Sequence, residues 1–160
     1  TSQQSSRNAD IQSLLSRYAW IAFLTHCGTS SLNCRSMTCF APSITHDSHN
    51  LLVVYRDPES ALKAGQALQA CGGGICAVKD SKASVLELPV AGLMSNLPCR
   101  QMAERIETVQ KAVQEITTPE TSLLGASIMS LTALPGVTIT DFGLVDGISQ
   151  TLLPVFPSER

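Results

Sequence analysis

An unbroken apolar run, Leu51 to Tyr55 (LLVVY), is the feature that most constrains how this chain can fold. A run of strand length that lacks alternating polar positions is typical of a strand buried on both faces. We therefore expect residues 51–55 to form a strand inside a sheet.

A helix is predicted directly after this strand. Asp57 can cap its first turn, Pro58 suits the first helical position, and Gly72 can end it in the left-handed conformation. The apolar side of this helix comprises Ala61, Leu62, Ala64, Leu68 and Cys71. The glycines at 72–74 do not predict a phosphate-binding loop, because such a loop opens a helix and continues into Lys-Ser or Lys-Thr. We interpret them as a helix cap and a tight turn.

A hairpin is predicted next, with strands at Ile75–Lys79 and Ala83–Leu88 joined by a turn at residues 80–82. A further short strand is predicted at Val137–Thr140. The order strand, helix and hairpin is typical of an α/β layer in which helices pack on a sheet.

The strongest periodicity in the chain predicts a second helix, which begins at Asn96 or Leu97 and is ended by residues 117–119. Its apolar positions recur at spacings of 4, 3, 4 and 3, and they are Met102, Ile106, Val109, Val113 and Ile116. We interpret this stripe as a core-packing face. The fold class predicted is therefore α/β, a mixed sheet with two main helices packed on it.

The length of 160 residues is typical of one domain. It excludes a complete TIM barrel, which needs roughly 250 residues. The beginning differs in composition, since residues 1–50 contain 15 Ser and Thr, one glycine and no lysine. We divide the chain into a Ser/Thr-rich segment of unclear structure, residues 1–40, and an α/β domain, residues 41–160.

The net charge of the chain and a search for targeting signals limit the functions and locations that we expect. The net charge of −2 and the lone tryptophan argue against a nucleic-acid partner. The apolar stretch Tyr18–Leu24 is too short to cross a bilayer and is interpreted as a short buried helix or strand. The start of the chain has no basic cluster of the kind that opens a signal peptide. We therefore expect a cytoplasmic protein without a membrane partner, whose six cysteines are reduced thiols.

The densest polar cluster directly precedes the first predicted strand and consists of His46, Asp47, Ser48, His49 and Asn50. Two imidazoles with a carboxylate between them could bind a metal or exchange protons. A catalytic metal usually takes three protein ligands, and His26 is the one further histidine. If residues 46–50 are extended, His46 and His49 point to opposite faces. The alternative is that the cluster caps and braces the entry to the strand.

Several ordered segments resemble the C-terminal domain of bacterial-type adenine deaminases, which are amidohydrolase-superfamily enzymes. The segments are APSITHDSHNLLVV (41–54), GGGICAVKD (72–80), ELPVAGLMSNLP (87–98), ALP (133–135) and TDFGLVD (140–146). The resemblance covers about residues 41–146. It departs from the family at residues 28–40, where a glycine-rich stretch is replaced by a sequence with a single glycine.

The resemblance implies hydrolysis of adenine to hypoxanthine and ammonia, a reaction of purine salvage. It also implies that a binuclear Mn or Fe centre lies in a preceding barrel domain, built around a His-x-His pair that this chain lacks. We therefore expect an accessory domain, a truncated or split part of a hydrolase, that holds no cofactor and is not catalytic on its own. Its expected partner is the amidohydrolase barrel, in cis or in trans. A binding or homo-oligomerisation module derived from that domain is the alternative.

No residue is assigned a catalytic role. The candidates for a surface that faces the active site or the other domain are the best-retained polar or special-geometry positions: His46, Asp47, Ser48, His49, Asn50, Gly92, Met94 and Ser95. The competing interpretation is that these positions only stabilise the contact between domains.

Overall fold

The fold is described from a computed structural model, which covers residues 21–25, 39–46, 49–117, 119–128, 131–140 and 142–154. The strands are β1 (Ile21–Thr25), β2 (Cys39–Pro42), β3 (Leu51–Tyr55), β4 (Gly74–Lys79), β5 (Lys82–Glu87), β6 (Val137–Thr140), β7 (Gly143–Asp146) and β8 (Thr151–Leu153). The helices are α1 (Pro58–Cys71), α2 (Cys99–Ile116) and α3 (Leu123–Ser127).

The main sheet has five strands in the order β1-β3-β2-β4-β5. β1 runs parallel to β3, whereas the β2–β3, β2–β4 and β4–β5 pairs are antiparallel. The sheet is therefore mixed, as predicted. The pattern did not predict β2, which lies between β3 and β4, so the connection through α1 passes over one strand. β1 and the first residues of β2 lie within the predicted N-terminal segment, residues 1–40. This segment therefore contributes to the sheet.

The two main helices pack on opposite faces of this sheet. The residues of the α1 face are Cys39, Ala41, Leu51, Val53, Ala61, Ala64, Leu68, Cys76 and Val78. The residues of the α2 face are Phe40, Leu52, Val54, Ile75, Ala77, Leu86, Val109, Val113, Ile116 and Leu123. Successive residues of β3 alternate between the two clusters because side chains of a strand alternate between faces. The prediction that this strand is buried on both sides is confirmed.

The predicted caps of α1 are present. The Asp57 carboxylate accepts a hydrogen bond of 2.8 Å from the Ser60 N–H, and Pro58 occupies the first turn. Gly72 ends the helix with a φ of 83°. This helix is therefore bounded by the local chemistry that the sequence predicts.

α2 begins at Cys99, after Pro98, slightly later than predicted. Val109, Val113 and Ile116 are buried, and Met102 packs against the same cluster. Ile106 belongs to the predicted stripe but is exposed, so the stripe is interrupted in the first half of the helix.

A second sheet of three antiparallel strands, β6-β7-β8, lies towards the C-terminus. β6 was predicted, whereas β7 and α3 were not. Across the described parts of the chain, no helix combines the length and apolarity that a membrane span requires.

Candidate functional site

Three connecting segments meet at one end of the five-stranded sheet. β2 is antiparallel to β3 and β4, and β4 is antiparallel to β5, so the end of β2, the starts of β3 and β4, and the end of β5 share one edge. We call this end the loop edge and define it as residues 43–46, 49–50, 72–74 and 88–97. It contains the predicted site residues that the structure describes: His46, His49, Asn50, Gly92, Met94 and Ser95.

A closed turn carries the two histidines of the loop edge. The His49 N–H donates to the Thr45 carbonyl over 2.8 Å, and the Thr45 hydroxyl donates to the Asn50 carbonyl over 2.6 Å. Thr45 is 1% exposed, which anchors the turn to the protein interior. His49 itself has a φ of 52°, a left-handed conformation that few residues other than glycine adopt.

The turn brings the two imidazoles together. The ring centroids of His46 and His49 lie 6.0 Å apart with the ring planes tilted by 54°, and both side chains are exposed. The extended conformation that would have separated them is not adopted, because the backbone closes between Thr45 and His49. Asp47 and Ser48 lie outside the described residues. Asn50 is half-buried at the start of β3.

A second turn, residues 90–94, carries the other predicted positions. The N–H and carbonyl groups of Val90 and Met94 pair over 3.0 and 3.1 Å, and Ala91 has a φ of 58°. Gly92 is buried, whereas the Met94 side chain is 60% exposed. Ser95 accepts a hydrogen bond of 3.2 Å from the Leu97 N–H, so it orders the next residues of the loop.

Ser43 joins these segments and was not predicted. Its hydroxyl accepts a hydrogen bond of 2.8 Å from the Gly74 N–H and donates one of 2.6 Å to the Gly92 carbonyl. Its own N–H donates to the Gly74 carbonyl over 2.8 Å. The sequence offers little signal for this role, since a serine after an unpredicted strand looks like an ordinary loop residue.

The glycine triplet allows the segments to approach closely. A Cβ on Gly73 would lie 2.5 Å from Gly92 Cα and 3.0 Å from Ser43 Oγ. The predicted helix cap at Gly72 is confirmed, and Gly73 has a second role as the contact point for the 90–94 turn. Its φ of 122° also disfavours any residue with a side chain.

The buried thiols of Cys39 and Cys76 belong to the cluster that packs against α1. Burial raises the pKa of Cys76 to about 12, and the neighbouring Cys71 thiol adds to this shift. Burial also raises the pKa of Cys39 far above the ordinary thiol range. Both are therefore packing residues, since the thiolate is the reactive form. Cys71 and Cys99 are also free thiols, whereas Cys27 and Cys34 lie outside the described residues.

The loop edge offers two imidazoles, which can donate, accept and carry a proton. Within the described ranges, no group of three or more His, Cys, Asp or Glu side chains is placed to hold a metal ion. The described residues of the loop edge therefore do not form a metal centre of the kind that the resemblance places in the barrel domain. Exposed imidazoles can take part in hydrogen bonding and proton exchange.

Comparison with known proteins identifies the family. The family model described as adenine deaminase C-terminal domain matches residues 29–151. This range contains the segments on which the resemblance rests and begins before the first of them, which starts at Ala41.

Individual relatives agree. The adenine deaminase of Moorella thermoacetica is 41% identical over 108 residues, which is 66% of this chain and 18% of the relative. That of Clostridium botulinum is 41% identical over 121 residues, 74% of this chain and 20% of the relative. That of Roseobacter denitrificans is 30% identical over 147 residues, 91% of this chain and 24% of the relative. The chain thus spans about a fifth to a quarter of the length of these curated relatives. It belongs to the adenine deaminase C-terminal domain family.

Proposed function

We propose that this chain serves as the accessory domain of an adenine deaminase and that its loop edge meets the part of the enzyme that holds the reaction centre. The observation that carries the proposal is the convergence at the loop edge of three of the segments that resemble the family. In the proposed complex, the family reaction, hydrolysis of adenine to hypoxanthine and ammonia, takes place outside this chain.

The surface chemistry of the loop edge supports a docking role. Val90, Met94 and Leu97 are 42%, 60% and 39% exposed, so the loop edge exposes large apolar side chains as well as two imidazoles. Apolar contact area with a few polar groups is the composition of a protein interface. The left-handed backbone at His49 and Ala91 also fits a functional surface, because such conformations concentrate at binding sites.

The proposed partner is the metal-binding barrel of the amidohydrolase family, joined to this domain in one polypeptide or bound as a separate subunit. The relatives have the additional length that a barrel needs, since the aligned segment covers 18–24% of each of the three described above. We place the binuclear Mn or Fe centre of the family in that barrel, and the complex in the cytoplasm. Exposed His46 and His49 would lie closest to the mouth of the active site.

A chimaeric enzyme tests the proposal. The segment of the Moorella thermoacetica adenine deaminase that matches this chain is replaced by this chain, and ammonia release from adenine is measured with added Mn²⁺ or Fe²⁺. We expect the chimaera to release ammonia, the relative without the segment to lose most of its activity, and this chain alone to release none above the uncatalysed rate. Deaminase activity of this chain alone would contradict the proposal.

A self-associating module is the second candidate, and a specific observation favours it. Phe142 and Ile148 in the region of the second sheet are 80% and 79% exposed, and exposed apolar patches often mark interfaces. A stable homo-oligomer that is unchanged by substitutions in the loop edge, combined with an inactive chimaera, would favour this candidate.

A further inference from the structure

Ser43 directly follows β2, and its side chain forms a hydrogen bond with a residue outside the main sheet. Pairing between β2 and β4 ends at Pro42 and Ile75. The Ser43 backbone adds one hydrogen bond to that ladder, through the Gly74 carbonyl. Its hydroxyl then reaches the Gly92 carbonyl, which lies 49 residues away in sequence and outside the sheet.

The hydroxyl is suited to this position because it donates and accepts at the same time. It accepts a hydrogen bond from the Gly74 N–H and donates one to the Gly92 carbonyl, over 2.8 and 2.6 Å. Both partners are backbone groups of glycines with positive φ, 145° at Gly74 and 71° at Gly92. One buried side chain therefore joins the first residue of β4 to the 90–94 turn.

The backbones of Gly73 and Gly92 lie close to the Ser43 side chain. A Cβ on Gly92 would lie 3.0 Å from Ser43 Oγ, and a Cβ on Gly73 would lie equally close to it. The Leu88 N–H adds a hydrogen bond of 3.0 Å to the Gly73 carbonyl, at the entry to the same loop. The 90–94 turn therefore packs closely against the glycine triplet and Ser43.

We propose that Ser43 is the positioning residue of the loop edge, which holds the 90–94 turn in fixed relation to the 45–49 turn so that Met94 and the two imidazoles form one preformed docking surface. This inference rests on the docking role proposed above. Ser43 itself is buried and acts through the turns that it holds. Preformed surfaces bind more tightly because less conformational entropy is lost on association.

Hydrogen exchange of the isolated chain tests the positioning role without any partner. Ser43→Ala removes the hydroxyl's hydrogen bonds to Gly74 and Gly92. Asp57→Ala, which removes the α1 cap at the opposite end of the sheet, is the matched control. We expect Ser43→Ala to raise the exchange rates of the Leu88, Val90, Leu93 and Met94 amides by about tenfold or more, relative to those of α1. Asp57→Ala should leave these four amides unchanged. Equal behaviour of the two variants would overturn the positioning role.

Gly73→Ala provides a second route to the same result, since its Cβ must push the 90–94 turn away while the Ser43 hydroxyl remains. We expect the same four amides to exchange faster. If they stay protected in both folded variants, Ser43 does not position the turn.

A binding experiment separates this inference from the proposed function. The Moorella thermoacetica enzyme without its matching segment is titrated with this chain and with the Ser43→Ala and Asp57→Ala variants. We expect Ser43→Ala to weaken association at least about tenfold at temperatures where all variants are folded, and Asp57→Ala to have no effect. Undiminished binding by Ser43→Ala would overturn the link between positioning and docking. If even the unsubstituted chain fails to bind, the docking role fails, and the exchange experiment alone decides whether Ser43 positions the turn.

Discussion

The two ends of the five-stranded sheet are built in different ways. At the far end, which we define as residues 55–58 and 79–82, the helix cap and the hairpin turn are formed by nearby residues, and an exposed ion pair of 3.1 Å also joins Lys79 to Glu115. Asp57 caps α1 by accepting from Ser60, and Asp80 and Ser81 form a two-residue turn with φ values of 46° and 61°. At the loop edge, Ser43 forms hydrogen bonds with Gly74 and Gly92, 31 and 49 residues away.

This difference shows where the chain uses long-range contacts to hold irregular backbone. A two-residue hairpin turn needs only the positive φ values that it contains. The loop edge instead combines left-handed residues, glycines in close contact and a buried serine. Structure of that kind is retained at binding surfaces more often than at simple connections. This contrast supports the proposed docking role of the loop edge.

The largest effect on the free energy of unfolding is expected for a glycine whose Cβ position is occupied by other atoms. A glycine with free space at that position is the comparison. In Gly74→Ala the new Cβ would overlap the Leu86 carbonyl oxygen, whereas Gly136, which also has a positive φ, has no atom within 4 Å of its Cβ position. We expect Gly74→Ala to lower the free energy of unfolding by about 4 kcal/mol or more and Gly136→Ala by about 1–2 kcal/mol. Urea denaturation measures both. Equal losses would show that tertiary contact at the loop edge adds nothing to the φ preference.

A smaller effect on the free energy of unfolding is expected when one hydrogen bond is removed at either end of the main sheet. Thr45→Val removes the buried bond to the Asn50 carbonyl and should cost about 1–2 kcal/mol of unfolding free energy. Asp57→Ala removes the cap and should cost about 1 kcal/mol. Only Thr45→Val should change the NMR signals of the His46 and His49 rings, because the turn that pairs them depends on Thr45. Unaltered ring signals would contradict the role given to Thr45.

The smallest effect on stability is expected at the two exposed histidines. His46→Ala and His49→Ala should each change the free energy of unfolding by less than about 1 kcal/mol, since surface substitutions usually have small effects. In the chimaera, the same substitutions should lower deaminase activity. A loss of several kcal/mol with unchanged activity would instead support the interpretation that these residues brace the strand.

Much of the main sheet could be predicted because its signals are local. The LLVVY run, the Asp57-Pro58 start and the Gly72 cap each lie within the element that they determine. β2 was missed because four residues, CFAP, show no period of their own and gain their place only by pairing on both sides.

The sequence identified the polar cluster and the 92–95 segment as candidates but did not predict their geometry. The structure places the described residues of both segments at one end of the main sheet. The closure of the 45–49 turn depends on the buried Thr45 and on the left-handed backbone of His49. The position of the 90–94 turn depends on Ser43. The Ser43 bonds join residues 31 and 49 positions apart, and Thr45 is buried by tertiary packing, so no local pattern marks these roles.

The central claim is that the loop edge, and not the far end, faces the rest of the enzyme. Hydrogen exchange of the whole Moorella thermoacetica adenine deaminase, compared with its matching segment alone, tests this most directly. We predict that, in the whole enzyme, amides equivalent to residues 45–50 and 88–97 become strongly protected, while those equivalent to residues 55–58 and 79–82 exchange as they do in the isolated segment. Protection confined to the far end, with the loop edge unchanged, would contradict the account.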